Sequence, residues 1–134
     1  MEKQFAKHAD SLPVIFDFVT QFVRPYNVTP EQTRPLEFAI EEIFMNMVKY
    51  NTESQNDVTI QLALENNTLS ACLIDRDVHS FDPTTHEAVD IHQPLHERTP
   101  GGLGLHLVKK MMDDVIYEYT DRACKITLIK RLGV

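Results

Sequence analysis

The sequence has no apolar run approaching the roughly 18 residues that a membrane-spanning helix needs. Its first residues, 1–5, lack the apolar core of a signal peptide. It has only two cysteines, Cys72 and Cys124, and neither stands in a Cys–His spacing that binds zinc. We therefore expect a cytoplasmic protein with one domain over residues 1–134, two buried thiols and no disulfide.

An excess of positive charge is also absent. The 13 lysines and arginines are outnumbered by 20 acidic residues, which gives a formal net charge of −7. An acidic surface repels a phosphate backbone, so we expect no direct binding to nucleic acid. Any phosphate that the protein binds must be held by a local site.

Apolar residues recur at three- and four-residue steps in two segments, which predicts helices over residues 11–24 and 29–50. Asp10 or Ser11 is expected to cap the first helix, and Thr29 with Gln32 forms a capping box at the second. Pro35 either lies early enough to be tolerated or kinks that helix.

Alternating apolar residues predict strands at 58–64, 69–74, 115–120 and 125–130, with a hairpin turn at 65–68 and a short helix at 105–112. This order predicts an α+β fold, a two-layer sandwich with helices on one face of a mixed, mainly antiparallel sheet.

Glu42 and Asn46 stand four residues apart on the second helix, so their side chains point to the same side. They flank an apolar stripe, where a carboxylate and an amide are costly unless another group satisfies them. A hydrated Mg²⁺ accepts one or two such oxygen ligands, and a carboxylate beside it can take a proton from an attacking hydroxyl. The alternative interpretation is a solvated helix edge.

Three of the four glycines stand together in the segment Gly101-Gly102-Leu103-Gly104-Leu105. Unpaired backbone N–H groups at a helix start favour an anion, so this segment predicts a phosphate site; a plain loop is the alternative. Arg98 precedes the glycines and is able to reach a terminal phosphate, or it is a solvated loop residue.

Asp75 and Asp77 lie where the second predicted strand ends, and Phe81 follows them. A carboxylate at a strand end can accept a hydrogen bond from an adenine amino group, although an Asp- and Pro-rich turn is the simpler interpretation. The polar stretch from about residue 75 to 100 contains four of the six histidines, and we expect no metal site among them.

Together, these segments resemble the Bergerat-fold ATP-binding family, which includes gyrase B, MutL and histidine kinases. They are most similar to its anti-sigma factor serine-protein kinase branch. Residues 41–46 (EEIFMN) resemble the Glu-x-x-x-Asn helix motif of that branch, 81–83 (FDP) the segment after its adenine box, and 97–105 (ERTPGGLGL) its second glycine box. The order and spacing of the three motifs carry the resemblance, because each motif alone is weak.

The resemblance implies a Mg-ATP-dependent kinase that phosphorylates a serine on a STAS-type anti-anti-sigma protein. Asn46 would bind Mg²⁺, Glu42 would act as general base or position the acceptor hydroxyl, and Arg98 would contact the terminal phosphate. Further nucleotide contacts would come from Asp75, Asp77, Phe81, Gly101, Gly102, Leu103, Gly104 and Leu105. The polar stretch before the glycines would be the ATP lid, a sigma factor would be a second partner, and the branch suggests a homodimer.

One departure concerns the adenine box, which in the family usually reads Asp-x-Gly. With a one-residue insertion, Asp75 takes the aspartate position and Asp77 that of the glycine. Without it, Arg76 and Val78 occupy these positions. We favour Asp75, and a side chain in place of the glycine is expected to weaken or abolish ATP binding.

Two other functions compete with a serine kinase. The first is a regulator-binding module that nucleotide only modulates or does not affect, which the altered adenine box favours. The second is a catalytic domain that phosphorylates histidine, which we disfavour because the sequence has no dimerisation helix and no acceptor-histidine segment.

Overall fold

The computed structural model describes residues 1–50, 56–78 and 102–133. Their elements, in chain order, are β1 (Glu2–Phe5), α1 (Leu12–Val23), α2 (Pro30–Tyr50), β2 (Val58–Glu65), β3 (Thr68–Arg76), α3 (Gly102–Met111), β4 (Asp114–Thr120) and β5 (Ala123–Arg131). Short 3-10 turns at Ala9–Ser11 and Arg24–Tyr26 flank α1. Phe81, Arg98 and Gly101, with most of the expected lid, lie outside the described residues.

The five strands form one sheet in the order β1-β2-β3-β5-β4, and every neighbouring pair is antiparallel. The predicted α+β fold is confirmed. The sequence missed β1, because in Glu2–Phe5 only Phe5 is buried and so short a strand has no readable alternation.

The helices cover one face of the sheet, here called the inner face, and α2 packs against β3, β5 and α3. The hydrophobic core lies between these layers and includes the buried side chains of Ile40, Ile43, Phe44, Met47, Ile60, Leu69, Leu73, Leu105, Val108, Ile126 and Leu128. Residues on the other, outer face are mostly polar and partly or fully exposed. The strong 3.6-residue pattern of α2 therefore corresponds to a helix buried along one side.

Both cysteines are buried, as predicted, and neither belongs to a disulfide. Cys72 pairs with Thr127 on the outer face of the sheet, whereas Cys124 pairs with Asp75 on the inner face. Side chains on opposite faces of a sheet point away from each other, so these thiols are not arranged to form a disulfide.

The helix starts match the predictions at one of three places. At α2 the capping box forms, with Gln32 N–H donating to Thr29 Oγ1 at 3.1 Å and Thr29 N–H donating to Gln32 Oε1 at 2.9 Å. At α1 the expected side-chain cap is wrong, because the Ser11 hydroxyl donates instead to the Ala6 carbonyl at 2.7 Å. The third helix begins at Gly102, so two of the glycines form its first turn. Pro35 lies inside α2, which continues through it.

Two tight turns join the hairpins, and each has two central residues with positive φ. Asn66 and Asn67 have φ of 50° and 64°, and Asp121 and Arg122 have φ of 52° and 62°. This is the backbone of a type I′ turn, which suits the twist of a two-residue hairpin. Asparagine and aspartate tolerate this conformation, whereas arginine is strained in it.

We predict that Arg122→Gly stabilises the protein by about 1 kcal/mol, because glycine adopts positive φ without a β-carbon clash. Arg122→Ala is the matched control, since it removes the same side chain and keeps the β-carbon. Urea unfolding is expected to give a higher midpoint for the glycine variant only. Equal midpoints for both variants would show that the backbone conformation is not the cause.

Candidate functional site

One end of the sheet carries Asp75, a residue that the sequence singled out. At this end Asp75 is the second-last residue of β3 and pairs with Cys124 of β5, while Ile74 pairs with Thr59 at the start of β2. Only residues 51–57 separate the end of α2 from the start of β2, so we expect the last turns of α2, with Asn46, to lie near this same end.

The helix α3 finishes at the opposite end of the sheet. Its last carbonyl, Met111 O, accepts a bond of 3.0 Å from Lys130 Nζ, so α3 finishes beside the far end of β5. Lys130 pairs with Leu69, which is six residues, or about 20 Å, from Asp75 along β3. Because α3 packs against α2 and its buried residues join the core, we expect its first turn to lie toward the Asp75 end of the sheet. The unpaired N–H groups of that turn are suited to an anion.

Asn46 is buried and its amide has a fixed orientation. Its Nδ2 donates to the backbone carbonyl of Glu42 at 2.7 Å. A carbonyl can only accept, so the nitrogen must face it and Oδ1 must face away from the helix backbone. Among the described residues, the buried Oδ1 has no hydrogen-bond partner. Burying an amide oxygen without a hydrogen-bond partner costs folding free energy. The Asn46 oxygen therefore favours a ligand that accepts its lone pairs, such as a hydrated metal ion.

Glu42 lies one turn before Asn46 and is partly buried. Burial raises the pKa of its carboxyl above the ordinary value of 4.5, the like charge of Glu41 raises it further, and Lys49 opposes the shift. A carboxylate with a raised pKa holds a proton more readily, which is the property that a general base needs.

Asp75 has no exposed surface, and its charge is balanced by a residue that the sequence did not indicate. The Lys7 Nζ lies 2.6 Å from Asp75 Oδ1, and the two side chains are 4% and 0% exposed. Lys7 lies in the turn between β1 and α1, on the inner side of the sheet. No local sequence signal identifies this pairing, because the two residues are 68 positions apart and β1 itself was not predicted.

The backbone after Asp75 distinguishes Asp75 and Asp77 from Arg76 and Val78. Arg76 points to the outer face, where its Nη1 donates to Thr59 Oγ1 at 2.8 Å, so it is turned away from the site. Asp77 has a φ of 59°, the left-handed conformation that glycine adopts most easily. This geometry favours Asp75 and Asp77 over Arg76 and Val78 for the aspartate and glycine positions, which stay a prediction.

Two hydrogen bonds hold the chain just beyond Asp77. The Tyr119 hydroxyl donates to the Val78 carbonyl at 2.6 Å, and the Val78 N–H donates to the Arg122 carbonyl at 3.0 Å. Val78 itself is fully buried. The β4–β5 hairpin thus fixes the direction in which the chain leaves the end of β3.

The remaining residues of the expected site divide into two groups. The backbone of Gly102, Leu103 and Gly104 lies in the first turn of α3, and the Leu105 side chain is buried in the core. Phe81, Arg98 and Gly101 fall outside the described part of the chain. Within 1–50, 56–78 and 102–133, no three His, Cys, Asp or Glu residues are grouped to hold a metal ion, and no helix is long and apolar enough to cross a membrane.

The chain is similar in structure to three known proteins. It superposes on the RsbU and RsbW domains of a Mycobacterium tuberculosis protein with a TM-score of 0.68 and 13% identity, covering 98% of this chain and 32% of that one. It superposes on the SiaB–SiaC complex of Pseudomonas aeruginosa with a TM-score of 0.56 and 13% identity, covering 97% of this chain and 88% of that one. It superposes on the histidine kinase AdeS of Acinetobacter baumannii with a TM-score of 0.56 and 8% identity, covering 100% of this chain and 68% of that one.

These likenesses show the fold alone, because the identities are low, and the chain spans about a third of the first of these structures. No curated protein sequence matches the chain. A family model described as the histidine kinase-like ATPase domain matches residues 5–130, nearly the whole chain. With the α+β sheet and the geometry at the end of β3, this match identifies the chain as a member of the histidine kinase-like ATPase domain family.

Proposed function

We propose that this protein binds Mg-ATP at the end of β3 and transfers the γ-phosphate to a serine of a STAS-type anti-anti-sigma protein. The observation that carries the proposal is the buried Asn46 Oδ1, which is oriented away from its own helix and lacks a partner among the described residues. Family membership implies ATP binding, and the resemblance to the anti-sigma factor kinases supplies the serine acceptor. A sigma factor as second partner and a homodimer rest on the same resemblance.

The residues present suit a Mg²⁺ ion that bridges ATP phosphates. Such an ion keeps several waters and takes few protein ligands, so a single amide oxygen is a sufficient anchor. Asn46 would hold it, and when bound it neutralises charge on the phosphates. The backbone N–H groups at the start of α3 would receive the phosphate oxygens, while Asp75 would accept a hydrogen bond from the adenine amino group.

The transfer step needs a base, and Glu42 is suited to this role. The serine oxygen forms a bond to the γ-phosphorus, the bond from that phosphorus to the β,γ-bridging oxygen breaks, and ADP leaves. Glu42 takes the serine proton, for which its raised pKa is favourable. Arg98 would balance charge on the terminal phosphate, a role that comes from the resemblance only.

A second function, a regulator-binding module with little or no dependence on nucleotide, is favoured by one observation. Asp75 is already paired with Lys7 and has no exposed surface, so its carboxylate has a partner even when no adenine is bound. Under this alternative the protein would bind its regulatory partner equally well with and without ATP. Transfer of label from γ-labelled ATP to the partner separates the two functions, because the module transfers no phosphate.

We predict that Asn46→Ala weakens binding of ATP in the presence of Mg²⁺ by tenfold or more, because it removes the oriented oxygen. Binding of ATP without Mg²⁺ should change much less. Gln21→Ala removes an exposed side-chain amide from α1 and should leave both affinities unchanged. Calorimetry with and without Mg²⁺ gives all the values, and an equal loss in both conditions would contradict the assigned role of Asn46.

We predict that Glu42→Gln retains ATP affinity and lowers phosphate transfer by about 10²- to 10⁴-fold, the usual contribution of a general base. The measurement is transfer of label from γ-labelled ATP to a STAS-domain protein. In the wild type the rate should rise with pH through the raised pKa of Glu42, because only the deprotonated carboxylate accepts the proton. Full transfer by Glu42→Gln would exclude Glu42 as the base.

Glu41→Gln is the matched control for this experiment. It neutralises the adjacent carboxylate, whose charge is one of the causes of the raised pKa of Glu42. We expect it to retain transfer and to move the acidic side of the pH profile to lower pH. An unchanged profile would mean that a group other than Glu42 controls the rate.

A further inference from the structure

The turn between β1 and α1 holds Lys7 in a defined position. The Ala6 carbonyl accepts two hydrogen bonds, from His8 N–H at 2.7 Å and from the Ser11 hydroxyl at 2.7 Å. Ser11 N–H also donates to the His8 carbonyl at 3.0 Å. The first of these bonds closes a three-residue turn with Lys7 at its centre. Lys7 is therefore attached to a short, internally bonded segment, which joins the edge strand to the first helix.

The side chain of Lys7 leaves this exposed turn and enters the interior. Both neighbours, Ala6 and His8, are exposed, whereas the Lys7 side chain is only 4% exposed and contacts a carboxylate with no exposure. Lysine normally keeps its charged end in water, so burial of the ammonium requires the opposite charge of Asp75. The contact thus pairs a buried ammonium with a buried carboxylate.

Lys7 contacts the carboxylate of Asp75, which the proposed function assigns to binding the adenine base of ATP. The amino group of adenine is a neutral donor, and a charged donor makes the stronger hydrogen bond to a carboxylate. Removing one partner from a buried ion pair is strongly unfavourable, because the other charge is left without compensation. An adenine base that approaches Asp75 therefore competes with the ammonium of Lys7 for the carboxylate.

We propose that Lys7 is an internal competitor for the nucleotide base: the base reaches Asp75 only when the Lys7 ammonium leaves it. This inference rests on the proposed nucleotide site and adds a regulatory contact to it. Displacement of Lys7 moves the centre of the 6–11 turn, so occupancy of the site is transmitted to the segment between β1 and α1. Any partner that holds Lys7 away from Asp75 would raise nucleotide affinity by the same linkage.

The test is calorimetric titration of ATP into the wild type and Lys7→Met, a variant that keeps the length and apolar stem of the side chain. We expect Lys7→Met to bind at least tenfold more tightly. Lys3→Met is the matched control, because it removes an exposed lysine from β1 and makes the same change in net charge. It should bind like the wild type or slightly more weakly, since added negative charge repels the triphosphate.

The outcomes separate this inference from the proposed function. Equal or weaker binding by Lys7→Met, with measurable binding by the wild type, overturns the competition and leaves the nucleotide site in place. No binding by either protein overturns both. Binding by Lys7→Met alone supports both, and shows that the ion pair closes the site in the free protein.

A second measurement needs no variant, so it decides the matter if Lys7→Met fails to fold. Hydrogen exchange of the wild type is followed with and without saturating ATP. We expect ATP to accelerate exchange at the amides of His8 and Ser11, because their hydrogen bonds close the turn that Lys7 must open. Unchanged or slower exchange at these two amides would overturn the proposal.

Discussion

The buried charge of Asp75 is the constraint that organises this end of the molecule. A carboxylate with no exposure needs an opposite charge or several hydrogen bonds, and Lys7 provides the charge at 2.6 Å. The need to pair Asp75 gives a reason for the two hydrogen bonds that the Ala6 carbonyl accepts. These bonds hold the turn closed with Lys7 directed inward. The N-terminal segment thus has a defined path to α1 although few of its residues belong to the core.

The parts of the fold that sequence predicted are those with local physical causes. A stripe of apolar residues and the Thr29–Gln32 capping box are sufficient to define α2, because each is a contact within a few residues. The hairpins follow from alternating strands and from Asn66 and Asn67, which tolerate positive φ. Glu42 and Asn46 were identified for the same reason, since their spacing on one helix fixes their relative position without knowledge of the rest of the fold.

The parts that sequence missed depend on contacts between distant segments. In β1 only Phe5 is buried, and its pairing with Val58 is 53 residues away along the chain, so nothing local distinguishes it from a loop. The Lys7–Asp75 pair has the same origin. Ser11 was expected to cap α1, but its hydroxyl donates to the Ala6 carbonyl in the preceding turn and accepts no capping bond from the helix. This last miss is local, because Ala6 and Ser11 are five residues apart and the turn before the helix gives the hydroxyl a different partner.

The missing glycine is a smaller obstacle to nucleotide binding than the ion pair. Asp77 already has the left-handed backbone of the glycine position, and its Oδ2 accepts a bond of 2.5 Å from Asn56 Nδ2, so the backbone path does not require glycine. The cost that remains there is the volume of one side chain. At Asp75 the cost is the separation of two buried opposite charges, which is larger. The choice between a kinase and a nucleotide-independent module is therefore quantitative: the interactions at Asn46 and at the start of α3 must exceed the cost of moving Lys7.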